Sequence, residues 1–263
     1  MKIVLLDMDG TLTEPRQKMS RSMVEALTKL QKNNFNIGIV TGSGMHYLKE
    51  QCLEIFEDFS FDHEKVYYFP CNGTQYIRYE NRKEKVVYST SMKEEIGTKN
   101  YRDIIYMLIE NQLRIKRTLY GKLVPLTGNF IDCRGSMINW CPIGRNATHD
   151  DRKKWVELDQ QHNIRNNFID CYFRSPIYES VEVKLGGSTS FDIFPLGWDK
   201  TYVLRNFKKE EEVWFVGDKC DNLGNDKELY DAIKLRSSGE SFKTNGPIKT
   251  IEIIEKFILS QPR

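Results

Sequence analysis

Apolar positions in residues 1–80 follow two alternating periods. Short unbroken runs end at Leu6, at Val40 (over 36–40) and at Phe69 (over 65–69), each with the length and β-branched or aromatic content of a buried strand. Between them Met23, Leu27 and Leu30 recur at helical spacing, as do Leu48, Cys52 and Phe56. Ser22 and Glu25 have the spacing of a capping box for the first helix, which should end near Asn33-Asn34. Strand–helix–strand–helix–strand in this order predicts a parallel, doubly wound, Rossmann-like sheet.

The rhythm then changes. Residues 75–79 and 85–88, around Glu80-Asn81-Arg82, read as a hairpin, and a long helical segment follows with Ile104, Ile105, Leu108 and Leu113 as its apolar positions. Residues 129–140 and 180–194 are strand-rich, separated by a helix over about 150–162. That mixture predicts an α+β insert over residues 81–195. The first grammar returns with a helix opened by Trp198-Asp199-Lys200 and with the strand 212–217, which ends in Asp218. The expected fold is therefore α/β: a parallel-sheet core built from 1–80 and 196–263, with an inserted cap at 81–195.

Composition narrows the classes. With 39 Lys and Arg against 37 Asp and Glu, the 263-residue chain has no basic surplus that calls for nucleic acid or a membrane surface. No apolar run approaches a membrane span, and Met1 leads into a strand without a signal-peptide pattern, so a cytoplasmic location is expected. The six cysteines are scattered and read as reduced core or near-core thiols, not as disulfides or zinc ligands. The four histidines are equally dispersed, and no histidine metal site is expected.

Candidate chemistry begins where the first strand ends, in Asp7-Met8-Asp9-Gly10-Thr11-Leu12-Thr13. Ligands of open α/β sheets bind outside the carboxyl ends of the strands. Two carboxylates there repel each other unless a cation or a shared proton lies between them. A lone Asp-x-Asp is usually only an acidic turn; the strand before it and the Gly-Thr-Leu-Thr after it favour chemistry. This stretch resembles the first motif of the haloacid dehalogenase (HAD) superfamily of phosphoryl-transfer enzymes. The resemblance implies that Asp7 is a nucleophile forming an aspartyl-phosphate and that Asp9 is the general acid and base. Such chemistry also needs a divalent cation and donors to the phosphoryl oxygens. Mg²⁺ prefers a few carboxylates plus substrate oxygens and water, and Asp7, the backbone carbonyl of Asp9 and Asp218 supply such a set. Thr41 or Ser43 can donate to phosphate, and Lys200 can screen Asp7. Singly these are a common turn and a surface lysine, but their order matches all four superfamily motifs.

The insert carries Phe130-Ile131-Asp132-Cys133-Arg134, a second segment from Ser136 to Arg145, and then Arg152. Guanidinium forks bind phosphate bidentately and stay charged. Ser190 and Asp192 add a hydroxyl and a carboxylate suited to sugar hydroxyls. Any one of these arginines could instead pair with Asp150, Asp151 or Glu157 at the surface. Taken together, Asp-Gly-Thr-Leu-Thr-x-Pro-Arg-Gln, Phe-Ile-x-x-Arg-x-x-Met-x-Asn-x-x-Pro-Ile-Gly-Arg, Gly-Gly-x-x-Ser-Phe-Asp-x-Phe-Pro-x-Gly-Trp-Asp-Lys and Gly-Asp-Lys…Gly-Asn-Asp closely resemble the eukaryotic-type phosphomannomutases, from the first strand to about residue 230.

That likeness implies interconversion of mannose 6-phosphate and mannose 1-phosphate with Mg²⁺ and a hexose 1,6-bisphosphate activator, in the service of GDP-mannose biosynthesis. It also implies substrate contacts from Arg16, Arg134, Arg145, Arg152, Ser190 and Asp192, a metal at Asp7, Asp9 and Asp218, and a homodimer through the cap. The chain departs from the family at Thr41-Gly42-Ser43, where Gly-Gly-Ser is usual, at Cys71, where Glu is usual, and at Cys220–Gly224, which replaces a loop ending Gly-Gly. The alternative is a sugar-phosphate phosphatase on the same scaffold, which needs Asp7, Asp9, Lys200 and Asp218 but no cap arginines.

Overall fold

The computed structural model describes residues 1–58, 61–115, 124–173, 176–221 and 224–260. In chain order its elements begin β1 (Lys2–Leu6), α1 (Arg21–Lys32), β2 (Asn36–Val40), α2 (Met45–Gln51), α3 (Leu53–Glu57), β3 (Val66–Phe69), β4 (Gln75–Glu80) and β5 (Lys83–Ser89). Then come α4 (Met92–Glu95), α5 (Thr98–Ile115), β6 (Ile131–Cys133), β7 (Ile138–Trp140), α6 (His149–His162), α7 (Ile164–Tyr172), β8 (Val181–Gly186) and β9 (Ser190–Pro195). A 3₁₀ segment, Lys200–Asn206, leads to β10 (Glu212–Gly217), α8 (Lys227–Lys234), β11 (Ser241–Lys243) and α9 (Pro247–Ile253). The chain divides into two compact units, Met1–Ser89 with Trp198–Arg263, and Thr90–Gly197.

The first unit is built on a sheet of order β11-β10-β1-β2-β3-β4-β5. The pairs from β11 to β3 are parallel, and β4 and β5 add an antiparallel edge. Alternation along β1 explains its central place. Val4 and Leu6 join one buried cluster with Met23, Leu27 and Leu30 of α1, while Ile3 and Leu5 join another with Phe215, Leu229 and Ile233. Each such fully buried side chain is worth about 1.5–3 kcal/mol, and a strand buried on both faces has no room for polar residues until it ends at Asp7.

Several local expectations are corrected. Ser20, not Ser22, caps α1: its extended backbone precedes the helix and its side chain accepts from the Met23 N–H at 3.3 Å. The expected second helix is two short helices that break at Cys52, and the segment after Asp199 is 3₁₀, its first turn capped by the Asp199 carboxylate. The hairpin strand β5 pairs with β4 along its length and so belongs to the core sheet. The division of the chain therefore falls after Ser89, whereas a boundary at 81 would cut the hairpin at its turn.

The second unit holds an antiparallel sheet of order β6-β7-β9-β8. Ile138, Trp140, Phe191 and Ile193 point to one face and pack with Ile104 and Leu108 of α5, Trp155 of α6 and Phe168 of α7. Trp140 stacks on Phe191 with ring centroids 4.9 Å apart. The buried stripe of α5 is Ile104, Leu108, Asn111 and Ile115, so Leu113 falls outside it and is exposed. Cys133 and Cys171 are also exposed, unlike the other four cysteines, and all six are free thiols. Among the described residues no helix is long and apolar enough to cross a membrane.

In the core unit, His63 stacks on Phe56 with ring centroids 5.2 Å apart, its Nε2 2.9 Å from the Ile55 carbonyl and its Nδ1 2.8 Å from the Tyr68 hydroxyl. A carbonyl only accepts, so Nε2 carries a proton, and the Tyr68 hydroxyl can donate to Nδ1 of the neutral ring. Burial accordingly lowers the His63 pKa below its ordinary 6.5. Between the folded pKa and 6.5 the unfolded chain binds more protons, so this residue's contribution to stability is lost as the pH falls through that window. Chemical denaturation of wild type and His63→Gln from pH 7.5 down to 5 should show their difference in unfolding free energy shrinking as acid is added. A constant difference would contradict this.

Candidate active site

At the C-terminal edge of the core sheet the parallel register sets Leu6 beside both Ile39 and Val216. The residues that follow these strands, Asp7, Thr41 and Asp218, therefore leave the sheet at one edge. Asp7 continues the ladder through its N–H to the Val216 carbonyl (3.0 Å). The chain then curls so that the amides of Thr11, Leu12 and Thr13 all donate to the Met8 carbonyl. Gly10 makes this possible. Its φ is +85°, and a Cβ there would run into the Asp218 carboxylate.

Lys200 is the centre of the cluster. It is 1 % exposed, and its Nζ lies 2.5 Å from Asp7 Oδ1 and 2.5 Å from Asp226 Oδ1. Burial works against its ammonium, but Asp226 and then Asp7 outweigh that effect and hold its pKa above the ordinary lysine value. Burial, reinforced by the charge of Asp226, raises the Asp7 pKa well above the usual carboxylate range. The Asp218 carboxyl is pushed up to about 6, mainly by burial. Asp226 is the residue that strand-end reasoning missed, because it lies just before α8, beyond any strand end. Its Oδ2 accepts from the Lys219 N–H at 3.0 Å, and its only sequence signal is the final Asp of Gly-Asn-Asp.

Asp7, Asp218 and Asp226 each place an oxygen within 4.8 Å of the others. Three carboxylates against one ammonium leave a formal charge of −2, and the buried Asp218 Oδ1 has no hydrogen-bond partner. An all-oxygen set with surplus negative charge and an orphaned acceptor fits a hard divalent cation.

The other expected core residues lie around this cluster or on its loops. Asp9 is half-buried, and its Oδ1 accepts from the Arg16 N–H at 3.1 Å. Arg16 itself is exposed with φ +62°. Thr41 is buried, and its Oγ1 accepts from the Ser43 N–H (3.0 Å), which leaves the Thr41 proton to donate elsewhere. In the divergent loop after Asp218, Asn222 and Leu223 lie outside the described residues.

Of the expected residues of the second unit, Arg134, Arg145 and Asp192 come together around the polar face of its sheet. Asp132, Asn139, Asp192 and Lys184 sit opposite one another on β6, β7, β9 and β8. Arg134 Nε donates to Asp132 Oδ2 (3.0 Å), and Arg145 Nε lies 3.5 Å from the same oxygen. Arg145 Nη1 donates to Asn139 Oδ1 (2.8 Å), and Asn139 Nδ2 donates to Asp192 Oδ1 (2.6 Å). Arg152 donates to the Arg145 carbonyl (2.8 Å) and to Thr189 Oγ1 (3.0 Å). Gly186 is required here, since a Cβ would lie 2.8 Å from the Asp192 carboxylate. Arg165, which the motifs did not mark, ties the turn before Ser190: it pairs with Asp159 (2.6 Å) and donates to the carbonyls of Gly187 and Ser190.

The family model for eukaryotic phosphomannomutases matches residues 23–260, running on past Tyr230, where the motif likeness fades. A phosphomannomutase of Encephalitozoon cuniculi is 38% identical over 243 residues, covering 87% of this chain and 84% of its own. One from Triticum aestivum is 30% identical over 264 residues, covering 98% and 96%. Among solved structures, a haloacid dehalogenase-like hydrolase from B. subtilis shares the fold, with a TM-score of 0.57 at 12% identity, over 98% of this chain and 100% of its own. An IMP-nucleotidase of Plasmodium falciparum gives a TM-score of 0.61 at 13% identity, over 98% and 68%.

Two outcomes check the core cluster. Lys200→Met leaves two buried carboxylates facing each other and should lower the unfolding free energy by about 3–5 kcal/mol, read by urea denaturation; a loss below about 1 kcal/mol would contradict the buried triad. Mg²⁺ should raise the melting temperature of wild type but not of Asp218→Asn, because only a ligand of the folded state stabilises it. An equal rise in both would place the cation elsewhere.

Proposed function

The chain belongs to the eukaryotic phosphomannomutase family, and from that premise we propose that it interconverts mannose 6-phosphate and mannose 1-phosphate through an aspartyl-phosphate on Asp7. The observation that carries this reading is the second unit's polar face. Three arginines with Ser190 and Asp192 form a recognition set for a phosphate and a sugar, which a simple phosphatase does not need.

Asp7 attacks the phosphoryl group of a hexose 1,6-bisphosphate; the P–O bond to the sugar breaks as the Asp7–P bond forms. Asp9 gives its proton to the departing sugar oxygen. Mannose 1-phosphate then presents its 6-hydroxyl, Asp9 takes that proton, and the Asp7–P bond breaks as the P–O bond to the sugar forms. The resulting bisphosphate turns around, Asp7 takes its 1-phosphoryl group, and mannose 6-phosphate leaves. Lys200, held between Asp7 and Asp226, offsets charge at the nucleophile and cannot drift, since both of its partners are buried. The Thr41 hydroxyl donates to a phosphoryl oxygen. Asp7, Asp218 and the Asp9 carbonyl would hold Mg²⁺, with Asp226 behind them, and the ion would neutralise phosphoryl charge. The arginines of the second unit grip the phosphate that is not transferred. Excluding water while Asp7 is phosphorylated is what separates a mutase from a phosphatase. The apolar Tyr106, Ile109 and Leu113, exposed on α5, support the cap as the surface of a homodimer.

The deciding assay supplies mannose 1-phosphate, Mg²⁺ and a hexose bisphosphate, and measures mannose 6-phosphate and free phosphate together. The mutase reading predicts mannose 6-phosphate in large excess; free phosphate as the main product would favour the phosphatase. Asp7→Asn should abolish both products. Arg134→Ala or Arg145→Ala should lower mutase kcat/KM by about a hundredfold, as loss of a bidentate charged contact implies, while sparing hydrolysis of a small aryl phosphate. Equal losses of both activities would contradict the phosphate-gripping role.

A further inference from the structure

Arginines that grip a phosphate must first be held together without it, and like charges oppose that. Arg134 and Arg145 have side chains only 8% and 7% exposed, so water does little to screen them. One carboxylate lies between them, Asp132 Oδ2, within 3.0 Å of one Nε and 3.5 Å of the other. Arg134 donates to that oxygen through Nε, while Arg145 meets it as an ion pair and is oriented by Nη1 donating to Asn139 Oδ1. Asp132 reaches both because β6 pairs it with Asn139 and puts Arg134 two residues on, on the same face. Asn139 then completes the frame. It is buried, and it uses both ends of its amide, accepting from Arg145 and donating to Asp192.

We propose that Asp132 is a positioning residue: its carboxylate, shared by Arg134 and Arg145, pre-forms the anion-binding fork, and Asn139 links that fork to Asp192. The inference rests on the reading of the arginines as the grip on substrate phosphate. Two effects compete when Asp132 loses its charge. The site becomes more positive, which favours phosphate, and the fork loses its frame, which disfavours it. With both guanidiniums buried, the frame dominates, because their fixed geometry is lost and the two cations are pushed apart.

The test is steady-state mutase kinetics on the full chain with mannose 1-phosphate, alongside hydrolysis of a small aryl phosphate. Asp132→Asn should raise the mutase KM by about tenfold or more, a larger change than any in aryl phosphate hydrolysis. Asp132→Glu, which keeps the charge, should restore most of the loss. A KM that is unchanged or lower in Asp132→Asn, while Arg134→Ala raises it, overturns the positioning role and leaves the arginine site standing. If Arg134→Ala and Arg145→Ala do not raise KM either, the phosphate reading itself has failed. Should Asp132→Asn not fold, the charge-balanced double variant Asp132→Asn with Arg134→Ala carries the test. Its KM should exceed that of Arg134→Ala alone, because Arg145 has lost its carboxylate, and equal values overturn the proposal.

Discussion

The contact on which the core site depends is a buried ammonium between two carboxylates. Lys200 meets Asp7 across 193 residues of sequence and Asp226 across 26. A lone charge at 1 % exposure would be costly, and so would either aspartate without it. Each makes the others tolerable. The triad thereby locks the two separated stretches of the core to one another, β1 from the start of the chain and the β10–α8 turn from its end. A chain that closes this way can carry an entire second unit between its halves without loosening the nucleophile.

The same electrostatic problem recurs in the second unit with its signs reversed. In the core, Asp7 and Asp226 are held by one lysine and, together with Asp218, leave surplus negative charge. In the second unit, Arg134 and Arg145 share one carboxylate, Asp132. The polar row from Asp132 to Lys184 also shows why the cap is a sheet. Period-two alternation gives one face to Trp140, Phe191 and the helices and the other to this polar row.

Much of this was legible from residue patterns, for physical reasons. Asp7, Asp218 and Thr41 were found because strands buried on both faces stay apolar until they end, so the first polar residue marks the sheet's edge. The arginines stood out by motif. Asp226 escaped because it sits before a helix, where an acidic residue has an ordinary explanation as favourable charge near the N-terminus. Asp132 and Asn139 escaped because their meaning lies in strand pairing: a single strand shows alternation, but only register shows which residues face one another. The hairpin β4–β5 was recognised, yet its membership of the core sheet depended on β4 bonding to β3, a long-range fact. Ser20 replaced Ser22 as the cap of α1 because the choice turned on one residue's backbone angle, below the resolution of spacing rules.

The central claim is that Asp7 carries the phosphoryl group and hands it to sugar. Its most direct measurement is a pulse and chase with hexose 1,6-bisphosphate labelled in its phosphate. The protein is acid-quenched after a brief exposure to map the label, and a second sample is first chased with unlabelled mannose 1-phosphate. The account predicts the label on the peptide containing Asp7 in the first sample and in sugar bisphosphate after the chase. Label on another residue, or label that leaves only as inorganic phosphate, would contradict it.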